Sequence, residues 1–136
     1  MSHHPTRRTL LKVFAAIVVQ GLSWAAVPAS AYARVRDLSA VDPLEHTLRT
    51  LFPDKDTASA MARRYREHYP AMAANALPNV RRLLAPYFGE PTLIAGAIKQ
   101  QRSIDFAQGN SVIINGWVVA RCEADLCSAA LQFLDV

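Results

Sequence analysis

The chain has 136 residues, 51% of them hydrophobic and 19% charged, with a formal net charge of +4. That composition belongs to one ordinary globular domain and excludes a disordered or low-complexity chain. Three of the 15 basic residues, Arg7, Arg8 and Lys12, lie near the start, so the remaining twelve face 11 acidic residues and the rest of the chain is almost neutral. A polyanion-binding surface, and with it a nucleic-acid partner, loses its electrostatic basis.

The first element in chain order is Thr6-Arg7-Arg8-Thr9-Leu10-Leu11-Lys12, followed by an apolar run from Val13 to Val27. Paired arginines ahead of aliphatics, a lysine and a modest hydrophobic segment resemble the twin-arginine (Tat) export signal, Ser/Thr-Arg-Arg-x-Phe/Leu-Leu-Lys. The resemblance implies that Arg7, Arg8, Leu10, Leu11 and Lys12 are read by the Tat translocase and that the destination is the periplasm. Gln20, Gly21 and Ser23 interrupt the apolar run before Pro28, which leaves it short of the ~20 apolar residues of a spanning helix. Membrane contact is therefore expected to be transient, or peripheral through a partner. Ala29-Ser30-Ala31 and Ala31-Tyr32-Ala33 both offer a small-x-small cleavage pattern. Residues 1–33 are thus read as a signal peptide and residues 34–136 as a single helical domain. A Sec-type signal with a chance arginine pair, or an uncleaved anchor, is the competing reading. The Tat route carries folded cargo, so the mature domain is expected to fold before export, alone or on a partner that leaves with it.

After a polar lead-in, Asp42-Pro43-Leu44-Glu45 predicts a helix start: Asp42 as N-cap, Pro43 at the first helical position, Glu45 where its charge favours the helix dipole. Leu44, Leu48, Leu51 and Phe52 form its apolar stripe, and Pro53 ends it. Asp54 or Asp56 caps a second helix to about Tyr69, with Ala58, Met61, Ala62, Tyr65 and Tyr69 inward and Lys55, Arg63 and Arg66 outward. Arg63, Arg64 and Arg66 read as a solvated face partly offset by Glu67. From Pro70 a third helical stretch keeps the period through Val80, Leu84 and Phe88. Pro78 and Pro86 interrupt it, which predicts a short helix to about Asn75 and another from Pro78 to Ala85. The next helix spans Pro91 to Ala107, with Ile94, Ala97, Ile98, Gln101 and either Ile104 or Asp105 inward, and Gly109 as terminator.

Beyond Gly109 the period falls from 3.6 to 2. Ser111–Ile114 and Trp117–Ala120 flank Asn115-Gly116, the pair favoured in two-residue type I′ hairpins; one extended segment with a glycine bulge is the alternative. Trp117 is the expected large core anchor. From Arg121 a last helix places Cys122, Leu126, Ala129, Ala130 and Phe133 on one apolar face. The sum is a mainly α fold, a small bundle of about five helices with one short β-hairpin near the C-terminus.

Chemistry-bearing residues are sparse. His46 and His68 have no metal-spaced partner, and no Cys-x-x-Cys, phosphate loop or nucleophile elbow occurs. No cofactor of its own and no metal are expected. Cys122 and Cys127 are five positions apart, a rotation of about 140° on a helix, which predicts two buried thiols over an intrahelical bridge. Glu123 and Asp125 read as first-turn charges that favour the helix dipole rather than as an acid–base pair.

Asn115-Gly116-Trp117-Val118-Val119-Ala120-Arg121-Cys122-Glu123 with Leu126-Cys127 resembles the C-terminal end of short Tat-exported bacterial proteins. Their plan, an export signal on a compact helical domain, is similar to the small subunits of FAD-dependent sugar and polyol dehydrogenases. That resemblance implies a non-catalytic accessory subunit that escorts a larger flavin subunit to the periplasm, with FAD on the partner. Trp117, Arg121, Glu123 and Leu126 are then the expected partner interface, through the apolar surplus of the hairpin and last helix. A stand-alone periplasmic binding or structural domain is the second reading. An enzyme, which would need His68, Glu123 and Asp125 in one pocket, is the third.

Overall fold

The computed structural model describes residues 41–134; the predicted export signal, with Arg7, Arg8, Leu10, Leu11 and Lys12, lies outside them. Helix α1, Pro43–Leu51, begins as expected: Asp42 accepts from the Leu44 amide at 2.9 Å, and Glu45 pairs with Arg49 one turn on at 2.9 Å. The Arg81 guanidinium also clasps Asp42, at 3.2 and 2.5 Å, and holds its carboxyl below the usual carboxylate range. For α2, Lys55–His68, the cap is Asp54, which accepts from both the amide and the hydroxyl of Thr57 at 3.1 and 2.7 Å.

The prolines act as punctuation. Pro70 opens the four-residue α3, Pro70–Ala73, and α4 follows as Ala76–Leu84. Helix α4 starts two residues earlier than Pro78 suggests, because a proline within the first turn forfeits an amide that has no intrahelical partner there. A 3₁₀ turn, Ala85–Tyr87, leads to α5, Pro91–Gln108, which stops at left-handed Gly109 (φ 71°). Strands β1, Ser111–Ile114, and β2, Trp117–Ala120, pair antiparallel with Ile114 opposite Trp117. Asn115 and Gly116 turn between them at φ 54° and 79°, the left-handed pair that a type I′ turn requires. The regular register excludes the bulge. Helix α6, Arg121–Leu131, then closes a mainly α fold with six helices and one hairpin among the described residues.

Helix α6 is the axis of the domain. It packs against all five other helices and both strands, most extensively against α2 and α4. Every residue from Cys122 to Ala130 is buried, so the expected single apolar face is corrected to burial all round. The cause is side-chain size: Ala124, Cys127, Ser128, Ala129 and Ala130 let neighbouring helices approach from every side. Arg66 is likewise more than a solvated charge, since it donates to the hydroxyl and the carbonyl of Ser128 at 3.1 and 2.8 Å and ties α2 to the far end of α6. Arg64 does pair with Glu67, at 3.1 Å.

The largest fully buried side chains are Tyr65 and Phe52. Trp117, expected in that role, is only partly buried and packs on the margin of the core, beside the turn, while Ile114 and Val119 fill the hairpin's inner face. Both cysteines are free and buried, as helix geometry predicts. Among the described residues no helix is long and apolar enough to cross a membrane.

Candidate functional site

The chemistry concentrates where α6 begins. Ala120 stands at the N-cap and has no side chain able to accept a hydrogen bond, so the orphan amides of α6 need other partners. Glu123 reaches back to the Ala120 amide at 3.2 Å, the arginine amide at 121 donates to Asn110 O at 3.0 Å, and the Cys122 amide is met by Asp105 Oδ2 at 2.8 Å. Asp105 thus serves as the missing cap from another helix, held in place by Gln101 Nε2 at 2.9 Å one turn earlier on α5. Asp125 accepts from the Tyr65 hydroxyl of α2 at 2.8 Å and from Asn79 Nδ2 of α4 at 3.0 Å. Two arginines flank the group: Arg102 Nη1 is 3.6 Å from Glu123 Oε1, and Arg121 Nε is 3.8 Å from Asp125 Oδ2.

Asp105, Glu123 and Asp125 are only 4%, 5% and 3% exposed. Burial penalises the charged form, so the carboxyls of Glu123 and Asp125 are pushed above the usual range. The Ala120 amide and Arg102 oppose the shift at Glu123, and Asn79, Tyr65 and Arg121 oppose it at Asp125. The cap role expected for Glu123 stands, and both residues are buried, which the sequence did not indicate. Desolvation, reinforced by Asp125, raises the Tyr65 hydroxyl and keeps it a proton donor. Desolvation, reinforced by Asp105, likewise keeps the Cys122 thiol protonated, and burial does so for Cys127, whose Sγ lies 3.5 Å from Met61 Sδ. A protonated, enclosed thiol is a poor nucleophile.

These shifts have a pH signature. A carboxyl whose pKa is higher folded than unfolded stabilises most when protonated, and that contribution is lost as pH rises through the folded value. From pH 7 down toward about 5, above the unfolded carboxyl values near 4, the domain should gain stability. Below that range Asp42, whose pKa is lowered by Arg81, contributes the opposite trend. Thermal melts across pH 4–8 check this; Glu123→Gln with Asp125→Asn should flatten the rise, and a wild-type melting temperature that falls steadily from pH 7 to 5 would contradict it.

Above this hub lies a cleft of about 570 Å³ bounded by α4, the 3₁₀ turn, α5 and the first turn of α6. Of the residues expected to meet a partner, Arg121 lines the cleft, Trp117 sits on the core margin, and Glu123 and Leu126 are inside the bundle. Any surface contact made here falls to Trp117 and Arg121. His46 and His68 are exposed, and His68 is not among the hydrogen-bond partners of Glu123 or Asp125. Tyr65 and Asn79 were not apparent as polar partners in the sequence. Their signal is weak, since Tyr65 reads as one more apolar residue of α2 and Asn79 as an ordinary polar position beside Val80. No known protein family, curated protein or solved structure matches this chain.

Proposed function

We propose that this chain is a non-catalytic accessory subunit that supplies a twin-arginine export signal to a larger, flavin-dependent dehydrogenase subunit and accompanies it to the periplasm. The observation that carries the reading is Thr6-Arg7-Arg8-Thr9-Leu10-Leu11-Lys12, which agrees with the Tat pattern at every specified position. The outer face of the hairpin supports it. Ile113 and Val118 stand directly opposite each other and are 60% and 59% exposed, while Val112, Ile114 and Val119 fill the inner face. Ile113 and Val118 form an apolar cross-strand pair open to solvent, which a partner could cover. The β1 edge beside them is held to α2, because the Tyr69 hydroxyl accepts from the Ile113 amide at 3.1 Å and donates to its carbonyl at 3.4 Å. The apolar pair is thereby presented on a fixed support.

The test is expression of the full chain with a C-terminal tag in its native host and purification of the tagged protein from the periplasm. The expected eluate contains a larger subunit in fixed ratio and flavin absorbance. Replacing Arg7 and Arg8 together by lysine should retain both subunits in the cytoplasm. Ile113→Lys with Val118→Lys should release the partner while the chain itself is still exported. Periplasmic chain that carries no flavoprotein would overturn the assignment, and export undiminished by the lysine pair would overturn the signal.

A further inference from the structure

The cleft over the start of α6 has two unlike sides. Val80 and Leu83 of α4, Tyr87 of the 3₁₀ turn and Ile104 of α5 give it an apolar wall, and its floor is polar. Most of that floor is already engaged. Asp105 accepts from Gln101 and from the Cys122 amide, and Asp125 from Tyr65 and Asn79. Arg121 differs. Its Nε is buried with no hydrogen-bond partner, and the facing oxygen of Asp125, 3.8 Å away, is beyond hydrogen-bond range. The side chain is 33% exposed and contributes to the cleft lining. A planar guanidinium offers paired N–H donors whose geometry matches a carboxylate; with Nε enclosed, the exposed remainder of the group is what a ligand in the cleft can meet. Arg82, exposed and also lining the cleft, adds a second positive charge.

We propose that this cleft binds a small carboxylic acid with a short apolar body, its carboxylate on the Arg121 guanidinium and its body against Val80, Leu83 and Ile104. The site stands independently of the escort role: it rests on the cleft and on Arg121, not on the export signal or the hairpin. Charge-assisted hydrogen bonds supply the preference for an acid, and the apolar wall supplies a preference for a hydrocarbon tail over a bare anion. Arg121, expected from the sequence at a partner interface, here serves a ligand instead.

The test titrates the purified full chain with hexanoate, 1-hexanol and hexylammonium, followed calorimetrically. Hexanoate should bind at least about tenfold more tightly than 1-hexanol, the difference expected from one charge-assisted contact, and hexylammonium should bind most weakly. Arg121→Gln should remove the preference for hexanoate. Ala97→Phe, which fills the cleft from α5 without altering charge, should abolish binding of both hexanoate and 1-hexanol. Equal affinity of the wild-type chain for hexanoate and 1-hexanol, no measurable hexanoate binding, or a preference that survives Arg121→Gln would each overturn the proposal. Should Arg121→Gln fail to fold by circular dichroism, Ala97→Phe decides alone: hexanoate bound unchanged by that variant overturns the site.

Discussion

Asp125→Ala should destabilise the domain by about 3–5 kcal/mol, the range seen when one member of a buried charged group is removed and its partners remain. Three helices meet at this carboxylate: α6 carries it, α2 brings the Tyr65 hydroxyl at 2.8 Å, and α4 brings Asn79 Nδ2 at 3.0 Å. Alanine leaves both donors without an acceptor. It also leaves Arg121, whose facing oxygen now lies 3.8 Å away, without its counter-charge. Each unmet buried donor costs about 1–3 kcal/mol, and a small domain has roughly 5–15 kcal/mol in total. The variant should therefore unfold at much lower urea. Asp125→Asn keeps one acceptor for Tyr65, and the Asn79 amide can rotate to present its oxygen to the new NH₂ group, so its cost should be nearer 1 kcal/mol. A double-mutant cycle with Tyr65→Phe should give a coupling of about 1–2 kcal/mol. Urea denaturation of the four chains measures all of this. A loss below about 1 kcal/mol for Asp125→Ala would mean that water replaces the carboxylate through the adjoining cleft.

The parts of the fold that the sequence displayed are those governed by local rules. Asp42-Pro43 at the start of α1, Gly109 at the end of α5 and Asn115-Gly116 in the hairpin each occupy backbone geometries that few residues suit. The stripes of α1 and α2 were visible because each helix buries one face and leaves the other to water, so that hydropathy repeats every 3.6 residues. Helix α6 breaks that link. A helix surrounded on all sides has no wet face to mark its orientation, so the single apolar face expected from Cys122, Leu126, Ala129 and Ala130 told only part of its burial. Its run of small residues was the available sign, because close approach on every side requires them.

The candidate site was hidden for a related reason. Its members come from α2, α4, α5 and α6, and the hydrogen bond from Tyr65 to Asp125 spans 60 positions. No spacing rule joins residues across such a distance. Gln101 was on the expected inward stripe of α5, and of the two candidates for its last position Asp105 is the buried one and Ile104 the exposed one; the task of Asp105, to cap a different helix, becomes visible only once Ala120 is seen at the N-cap of α6. Trp117 shows the converse error: size suggested a core anchor, and its place beside the turn put it on the margin.

Leu126→Ala should cost about 3–5 kcal/mol, toward the upper end of the range for a buried leucine. Leu126 is 1% exposed and is the one bulky aliphatic between Cys122 and Ala130; its neighbours along the helix are alanine, aspartate, cysteine and serine. The cost of such a truncation depends on how far the surroundings can move into the space left behind. Here they can move little, since α6 is held at its N-terminal end by Asp105 and Asp125 and near its C-terminal end by Arg66 on Ser128. A helix pinned at both ends cannot slide to close a hole at its middle. Leu126→Met, which conserves volume, should lose less than about 1.5 kcal/mol. Urea titration of the isolated chain separates this core role from the interface role suggested by the sequence: a core residue lowers the denaturation midpoint at constant slope, whereas an interface residue leaves the midpoint unchanged and weakens only partner retention. The truncation should shift the midpoint, and an unshifted one would return Leu126 to the surface.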